Sequence, residues 1–309
     1  MIMDNSSQLS INGKTIKVSN LDKVFYPKTG FTKGNVIDYY IRVSPYLLPH
    51  LKDRPITLKR YPEGVEGFFF YEKQCPGGGR PDSVKITKVP KHGGGEVNYC
   101  VMNDLSGLVW AANLADLELH TFLHKAPAID RPTVLAFDLD PGPPADIATC
   151  CKIALQLKTI LDALELKCFA KTSGSKGLQI YVPLNTPVTY EKTKPFAHAL
   201  AELLQKQTPD LIVSNMRKDL RAGKVFVDWS QNDPHKTTVN VYSLRATEHP
   251  TVSTPVTWDE IEAAVKKKKA APLRFEAEEV LKRVLEHGDL FAPVLSVKQK
   301  LPPLQSLRY

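Results

Sequence analysis

Two aspartates at alternate positions, Asp138 and Asp140, close an apolar run that begins at Thr133 and stops at Pro141-Gly142. The run is strand-forming, and a proline followed by glycine ends a strand. Side chains alternate across a strand, so both carboxylates leave the same face close together. Two acids aimed together repel, and a divalent cation between them removes that cost. A solvated strand end with two turn-forming acids is the plain alternative, and the D-x-D pattern alone does not choose between them.

Composition narrows the class. The chain of 309 residues, 42% apolar and 24% charged, has the make-up of an ordinary globular protein of one large domain or two. No run approaches the ~18 apolar residues of a membrane helix. The start, Met1 to Ser7, has neither the basic flank nor the apolar core of a secretory signal. Five cysteines (Cys75, Cys100, Cys150, Cys151, Cys168) form no C-x-x-C pair, which points to reduced cytosolic thiols and no thiolate zinc site. A formal charge of +8 suits a polyanionic partner such as nucleic acid. The run Lys266 to Lys269 follows the capping-box pattern Thr257-Trp-Asp-Glu260, so it reads as a solvated helix end and not as a DNA contact.

Periodicity predicts a helix over 34–51 interrupted at Pro45, strands at 55–61, 68–72 and 96–101, and a helix over 104–124. After the D-x-D strand, an Asp146 cap precedes Ile147, Cys150, Cys151, Ala154, Leu157, Leu161 and Leu164 on one helical face. Strands at 167–171, 178–183 and 224–229 and a helix near 190–206 complete an α/β pattern. A proline-rich tail from Phe291 is expected on the surface. Nothing in composition forces a domain cut, so residues 1–309 read as a single domain.

Three further clusters carry candidate chemistry. Thr172-Ser-Gly-Ser-Lys-Gly177 lies between two strands; its glycines allow an anion-binding nest and Lys176 adds a charge. It lacks the Walker A spacing, and a polar turn is the alternative. Lys224 to Asn232 carries Asp228 at an apolar strand's end, after Arg217, Lys218 and Arg221. Asp228 could complete a three-carboxylate metal site, or simply terminate a strand. Glu118-Leu-His120 falls in the expected 104–124 helix, where a lone histidine is commonly a packed residue.

Taken in order, Glu118-Leu-His120, Phe137-Asp-Leu-Asp-Pro-Gly142, Thr172 to Leu178, Val225-Phe-Val-Asp-Trp-Ser-Gln-Asn232 and Tyr242-Ser-Leu-Arg245 resemble the polymerase domain of bacterial DNA ligase D, within the archaeo-eukaryotic primase superfamily. Asn20 to Pro27, Thr32-Lys-Gly34, Arg54 to Pro62, Phe70-Tyr-Glu-Lys73 and Thr251 to Trp258 extend the resemblance over about residues 12 to 300. It implies a primase-like catalytic fold: a mixed two-layer β-sheet core with packed helices, α/β (α+β) in class. Within it, an N-terminal DNA-binding region would span about 12–103 and a catalytic core about 104–300.

The resemblance also implies roles. Asp138, Asp140 and Asp228 match the acids that bind two divalent metals, Mn2+ by preference or Mg2+, and carry catalysis. His120, Ser173, Lys176, Arg221 and Arg245, with Lys59 and Gln231, match positions that hold the incoming nucleotide. Lys23 and Lys33 match the lysines that contact a downstream 5′-phosphate, and Phe70 and Tyr71 match an aromatic pair stacking on template bases. Gln179 stands where the family usually has histidine; it can donate a hydrogen bond to phosphate but carries no charge. Asn240-Val241 replaces the usual Ala-Pro before Tyr242, which leaves the backbone leading to Arg245 less constrained.

The implied activity is DNA-dependent nucleotide addition at gaps and 3′ overhangs in nonhomologous end joining, with NTPs preferred. A DNA ligase and a Ku-type end-binding protein are the implied partners, in the cytoplasm of a prokaryote at the nucleoid. The short lead from Met1 favours a free-standing polymerase over an excised domain. De novo priming shares the same triad, and a weakly catalytic end-bridging module is the reading Gln179 motivates. A dehalogenase-type phosphotransferase is disfavoured because Pro141 follows Asp140 directly.

Overall fold

The computed structural model describes residues 6–11, 13–91, 93–267 and 273–307. It contains seven α-helices among the described residues and two six-stranded sheets, a mixed α/β architecture. The chain divides into two compact units, neither continuous in sequence. The first gathers the chain up to Phe122 with Thr237–Val252 and Phe275–Gly288; the second takes Leu123–Lys236, Ser253–Arg274 and the chain from Asp289.

In the first unit, strand Pro55–Arg60 is central. It pairs antiparallel with Asp116–Thr121 on one side and with Glu96–Val101 and Phe70–Glu72 on the other. Thr238–Val239 and Lys85–Pro90 are the outer strands. Helix Lys33–Leu51 starts at a Thr32–Asn35 capping box and runs unbroken through Pro45, against the expected interruption. Proline removes an N–H and leaves the carbonyl four residues back without its donor. Here the Ser44 hydroxyl donates to that carbonyl, on Ile41, at 2.8 Å. Tyr39 and Tyr40 pack inward from this helix, and their hydroxyls donate to the Tyr242 and Leu117 carbonyls.

The helix expected over 104–124 is shorter. It spans Leu105–Asn113, and Ala115, at φ +65°, turns the chain into strand Asp116–Thr121. Glu118 and His120 therefore stand on a strand. Leu117 and Leu119 alternate with Asp116, Glu118 and His120, a period of two that the apolar helix before it masked.

Cys75 and Cys100 are joined in a disulfide, against the expected set of free thiols, with Cα atoms 4.9 Å apart. The pairing across strand Glu96–Val101 is a product of topology that spacing does not announce. Cys150, Cys151 and Cys168 are free and buried.

The second unit's sheet runs in the order Ile212–Val213, Val225–Asp228, Val134–Pro141, Leu178–Pro183, Phe169–Thr172, Pro255–Val256. All its pairings are antiparallel except the first, which is parallel. Leu135, Phe137 and Leu139, on one face of the D-x-D strand, are wholly buried. Helix Ile147–Ala163 begins at the Asp146 capping box, and helix Tyr190–Gln207 also packs on this sheet. Helix Trp258–Lys266 starts at the Thr257–Glu260 capping box; Lys268 and Lys269 lie outside the described residues. The tail is tied down by Gln299, whose amide donates to the Lys167 and Pro183 carbonyls. No helix of the described residues is long and apolar enough to cross a membrane.

Candidate nucleotidyl-transfer site

The sheet of the second unit sets three acids on neighbouring strands. Asp138 and Asp228 are register partners across the antiparallel pair, so their side chains leave the same face side by side. Asp140 lies two residues further along that face, opposite Phe226. Burial, then the charges of Asp140 and Asp228, push the Asp138 carboxyl well above the usual range, against a hydrogen bond from Gln179 and the charge of Lys171. Its Oδ1 is buried with no hydrogen-bond partner among the described residues.

This donor set fits a hard divalent cation: three carboxylates, one with a buried uncommitted oxygen. The side chains do not yet converge. Asp228 Oδ1 accepts from the Ser230 N–H at 2.9 Å, and Oδ2 accepts from Gln231 Nε2 at 2.8 Å. Among the described residues no group of three or more His, Cys, Asp or Glu is gathered to hold a metal ion. The backbone register brings the three acids to one face, while the Asp228 carboxylate is engaged by Ser230 and Gln231.

Two close approaches hold the basic loops against the D-x-D strand. A Cβ on Gly177 would stand 2.0 Å from the Leu139 carbonyl oxygen, and one on Gly142 would stand 1.9 Å from that of Arg221. In the Thr172–Gly177 loop the Ser173 hydroxyl accepts from the Ser175 and Gly177 N–H groups, while Lys176 is exposed. The Arg221 guanidinium covers the Phe226 ring at 3.8 Å and donates to the Met216 carbonyl. Its Nε is buried without a partner among the described residues.

The first unit carries a second polar cluster. Glu118, 2% exposed, accepts from Lys59 Nζ at 3.3 Å and pairs with His120 Nε2 at 2.9 Å and Arg245 Nε at 3.3 Å. The Tyr61 hydroxyl and the Ala246 N–H also donate to it. Burial alone would raise this carboxyl; the His120 hydrogen bond and the charges of Arg245, His120 and Lys59 outweigh it and hold it well below the usual range. Burial pulls His120 down, against the pull of Glu118. Lys59 Nζ also lies 4.8 Å from the Phe69 ring and 5.4 Å from that of Tyr71. Sequence reasoning passed over Glu118 as a hub and Phe69 as a ring partner; the aromatic run Phe68 to Tyr71 was the available signal for the latter.

Phe70 is half-buried under the Arg60 guanidinium, whereas Tyr71 is 54% exposed. Lys23 and Lys33 are neighbours through a 2.8 Å bond from the Lys33 N–H to the Lys23 carbonyl. Lys23 pairs with Glu63 at 2.8 Å. Lys33 is only 5% exposed, and burial, then the charges of Lys23 and Arg60, bring its ammonium down to about 8.

The model of the LigD primase-polymerase domain matches residues 32–291. The multifunctional nonhomologous end-joining protein LigD of Mycolicibacterium smegmatis is 40% identical over 95% of this chain, and the bifunctional LigD of Bacillus subtilis 32% over 88%. The chain spans 38% and 43% of the length of those two relatives. The solved polymerase domain of Mycobacterium tuberculosis ligase D in complex with DNA superposes with a TM-score of 0.84 at 38% identity, over 91% of this chain and 98% of that one. Such domains are nucleotidyltransferases of the primase-polymerase type, and the chain belongs to the LigD primase-polymerase family.

Proposed function

We propose that this chain is a DNA-dependent nucleotidyltransferase that fills gaps and extends 3′ ends at double-strand breaks during nonhomologous end joining, with ribonucleotides preferred. The observation that carries the reading is the pairing of Asp138 with Asp228 across one β-ladder, with Asp140 one step along the same face. On this reading residues 1–309 work as a single primase-polymerase domain. It acts beside a DNA ligase and a Ku-type end-binding protein, in the nucleoid of a prokaryotic cytoplasm. The family match and the DNA named in the related solved complex support it.

Asp138, Asp140 and Asp228 would hold two divalent cations, Mn2+ by preference. Such ions, when bound, stabilise the attacking 3′-oxygen and the leaving pyrophosphate of an in-line phosphoryl transfer. The chain's own groups bind and orient. Lys176 and Arg221, on loops pressed against the acid-bearing strand, would bring cations to the triphosphate, and Ser173 a hydroxyl. Lys59, His120 and Arg245 are further nucleotide contacts, prepaired on Glu118 so that their orientation is set beforehand. Gln231 donates to Asp228 and would release it as the acids converge. Lys33, desolvated beside Lys23 and Arg60, is an anion trap suited to a downstream 5′-phosphate. Phe70 and Tyr71 offer rings to template bases, a grip of roughly 1–3 kcal/mol per stacked base.

Primer extension on a one-nucleotide gapped duplex with Mn2+ tests the reading. Ribonucleotide addition should exceed deoxyribonucleotide addition, rise with a downstream 5′-phosphate, and vanish in Asp138→Ala. No extension by the unaltered protein would refute it.

A further inference from the structure

Lys171 is among the largest wholly buried side chains of the molecule, with no exposed surface. An ammonium so placed must be compensated by its neighbours, since a buried charge without partners is strongly destabilising. Its Nζ donates to Gln179 Oε1 at 2.5 Å and to Ser253 Oγ at 2.7 Å, and lies 5.5 Å from the Tyr181 ring centroid. Ser253 Oγ in turn donates to the Thr172 carbonyl at 2.9 Å, which fixes the hydroxyl that receives the ammonium.

Gln179 is buried as well, and it hydrogen-bonds to the Asp138 carboxylate. With Oε1 held by Lys171, the amide's N–H end is the one left for that bond. The connection follows the sheet register. Lys171 is the partner of Gln179, Gln179 of Asp138, and Asp138 of Asp228, so the four residues form one row across four neighbouring strands. An isolated glutamine amide can turn over and offer its oxygen to a carboxylate, which would repel it. An ammonium on the oxygen side removes that choice.

We propose that Lys171 is a positioning residue for the metal-binding carboxylates, locking the Gln179 amide so that its N–H holds Asp138 and leaves Oδ1 uncommitted. The inference rests on the metal-site reading above and adds to it what sets the first aspartate. It also gives Gln179 a task inside the sheet: the residue acts through Asp138, not on the triphosphate. The chain's departure from the family's usual histidine thus places an amide, with one acceptor and one donor end, between a buried cation and a metal-binding acid.

The test is Mn2+ binding to the full chain without nucleotide or DNA, followed by electron paramagnetic resonance of the free ion. Asp138→Ala should abolish tight binding. Lys171→Met and Gln179→Ala should each weaken it roughly tenfold, the usual cost of removing a group that orients a metal ligand. The double variant should be no weaker than the worse single one, because both act through one amide. Extension by Lys171→Met should recover as Mn2+ is raised, with KM for the nucleotide within about twofold at saturating metal. Circular dichroism checks folding; should Lys171→Met not fold, Gln179→Ala decides alone. Unchanged Mn2+ affinity in a folded single variant would overturn this inference. So would a rise in nucleotide KM for Gln179→Ala with metal affinity intact. Full Mn2+ binding by Asp138→Ala would overturn the metal-site reading itself, and this inference with it.

Discussion

Replacing Glu118 by alanine removes the one carboxylate on which Lys59, His120 and Arg245 converge. Removing one partner of a buried ion pair costs about 3–5 kcal/mol, and a donor left without an acceptor costs about 1–3 kcal/mol more. Lys59, His120 and Arg245 keep 12%, 12% and 18% of their side-chain surface, so water recovers part of this loss. We expect a net destabilisation of about 4 kcal/mol for Glu118→Ala, and a smaller one for Glu118→Gln, which still accepts from Tyr61 and the Ala246 N–H. At about 2–4 °C per kcal/mol for units of this size, Glu118→Ala should lower Tm by roughly 8–16 °C at pH 7.5 in calorimetry. The pH dependence has a definite sign. A carboxyl whose folded pKa lies below its unfolded value near 4.5 contributes its full stability above pH 4.5 and loses it as pH falls further. The gap between wild type and Glu118→Gln should therefore narrow below that pH. A Tm within about 2 °C of wild type for Glu118→Ala, or a drop no larger than that of Arg245→Met, would refute the hub argument.

Two further outcomes follow from the same structure. Lys33→Met should abolish the stimulation of extension by a downstream 5′-phosphate while leaving extension on an unphosphorylated gap unchanged. In wild type the stimulation should decline as pH rises through about 8. Between that value and 10.5 the unfolded chain holds the proton more tightly, so Lys33 makes the folded state gain stability as pH rises, a slope that urea titrations of Lys33→Met should lack. Asp140→Asn relieves the repulsion felt by Asp138, so in EDTA it should raise Tm above about pH 8, where both carboxyls would otherwise be charged, while abolishing extension. A lower Tm in EDTA would show that Asp140 is not a source of that repulsion.

The sequence was most legible where one chemical signal governs one element. Asp146 and Thr257 cap helices as their patterns require, and Leu178–Pro183 is a strand over the span expected for it. The acids at 138 and 228 were readable as strand ends, but their pairing is a matter of register, which no local pattern encodes. Glu118 was misplaced on a helix because the short alternation Asp116 to Thr121 follows directly on an apolar helix, whose period ran on over it. The continuity of helix Lys33–Leu51 turned on a hydroxyl one residue before Pro45. The Cys75–Cys100 link joins a loop residue to strand Glu96–Val101 across 25 residues of chain. Lys171 looked like any strand lysine until the row of partners behind it was in view.

The glycines at 142 and 177 have a consequence for how this polymerase can be altered. Each leaves room for hydrogen alone against a neighbouring main-chain oxygen, one on either side of the acid-bearing tip. A methyl group at either position would push a loop outward and carry Lys176 or Arg221 with it. Change in this loop is thereby steered to Ser175, whose side chain faces solvent and can be exchanged without shifting the frame. Drift is closed at the hinge points and open at the rim.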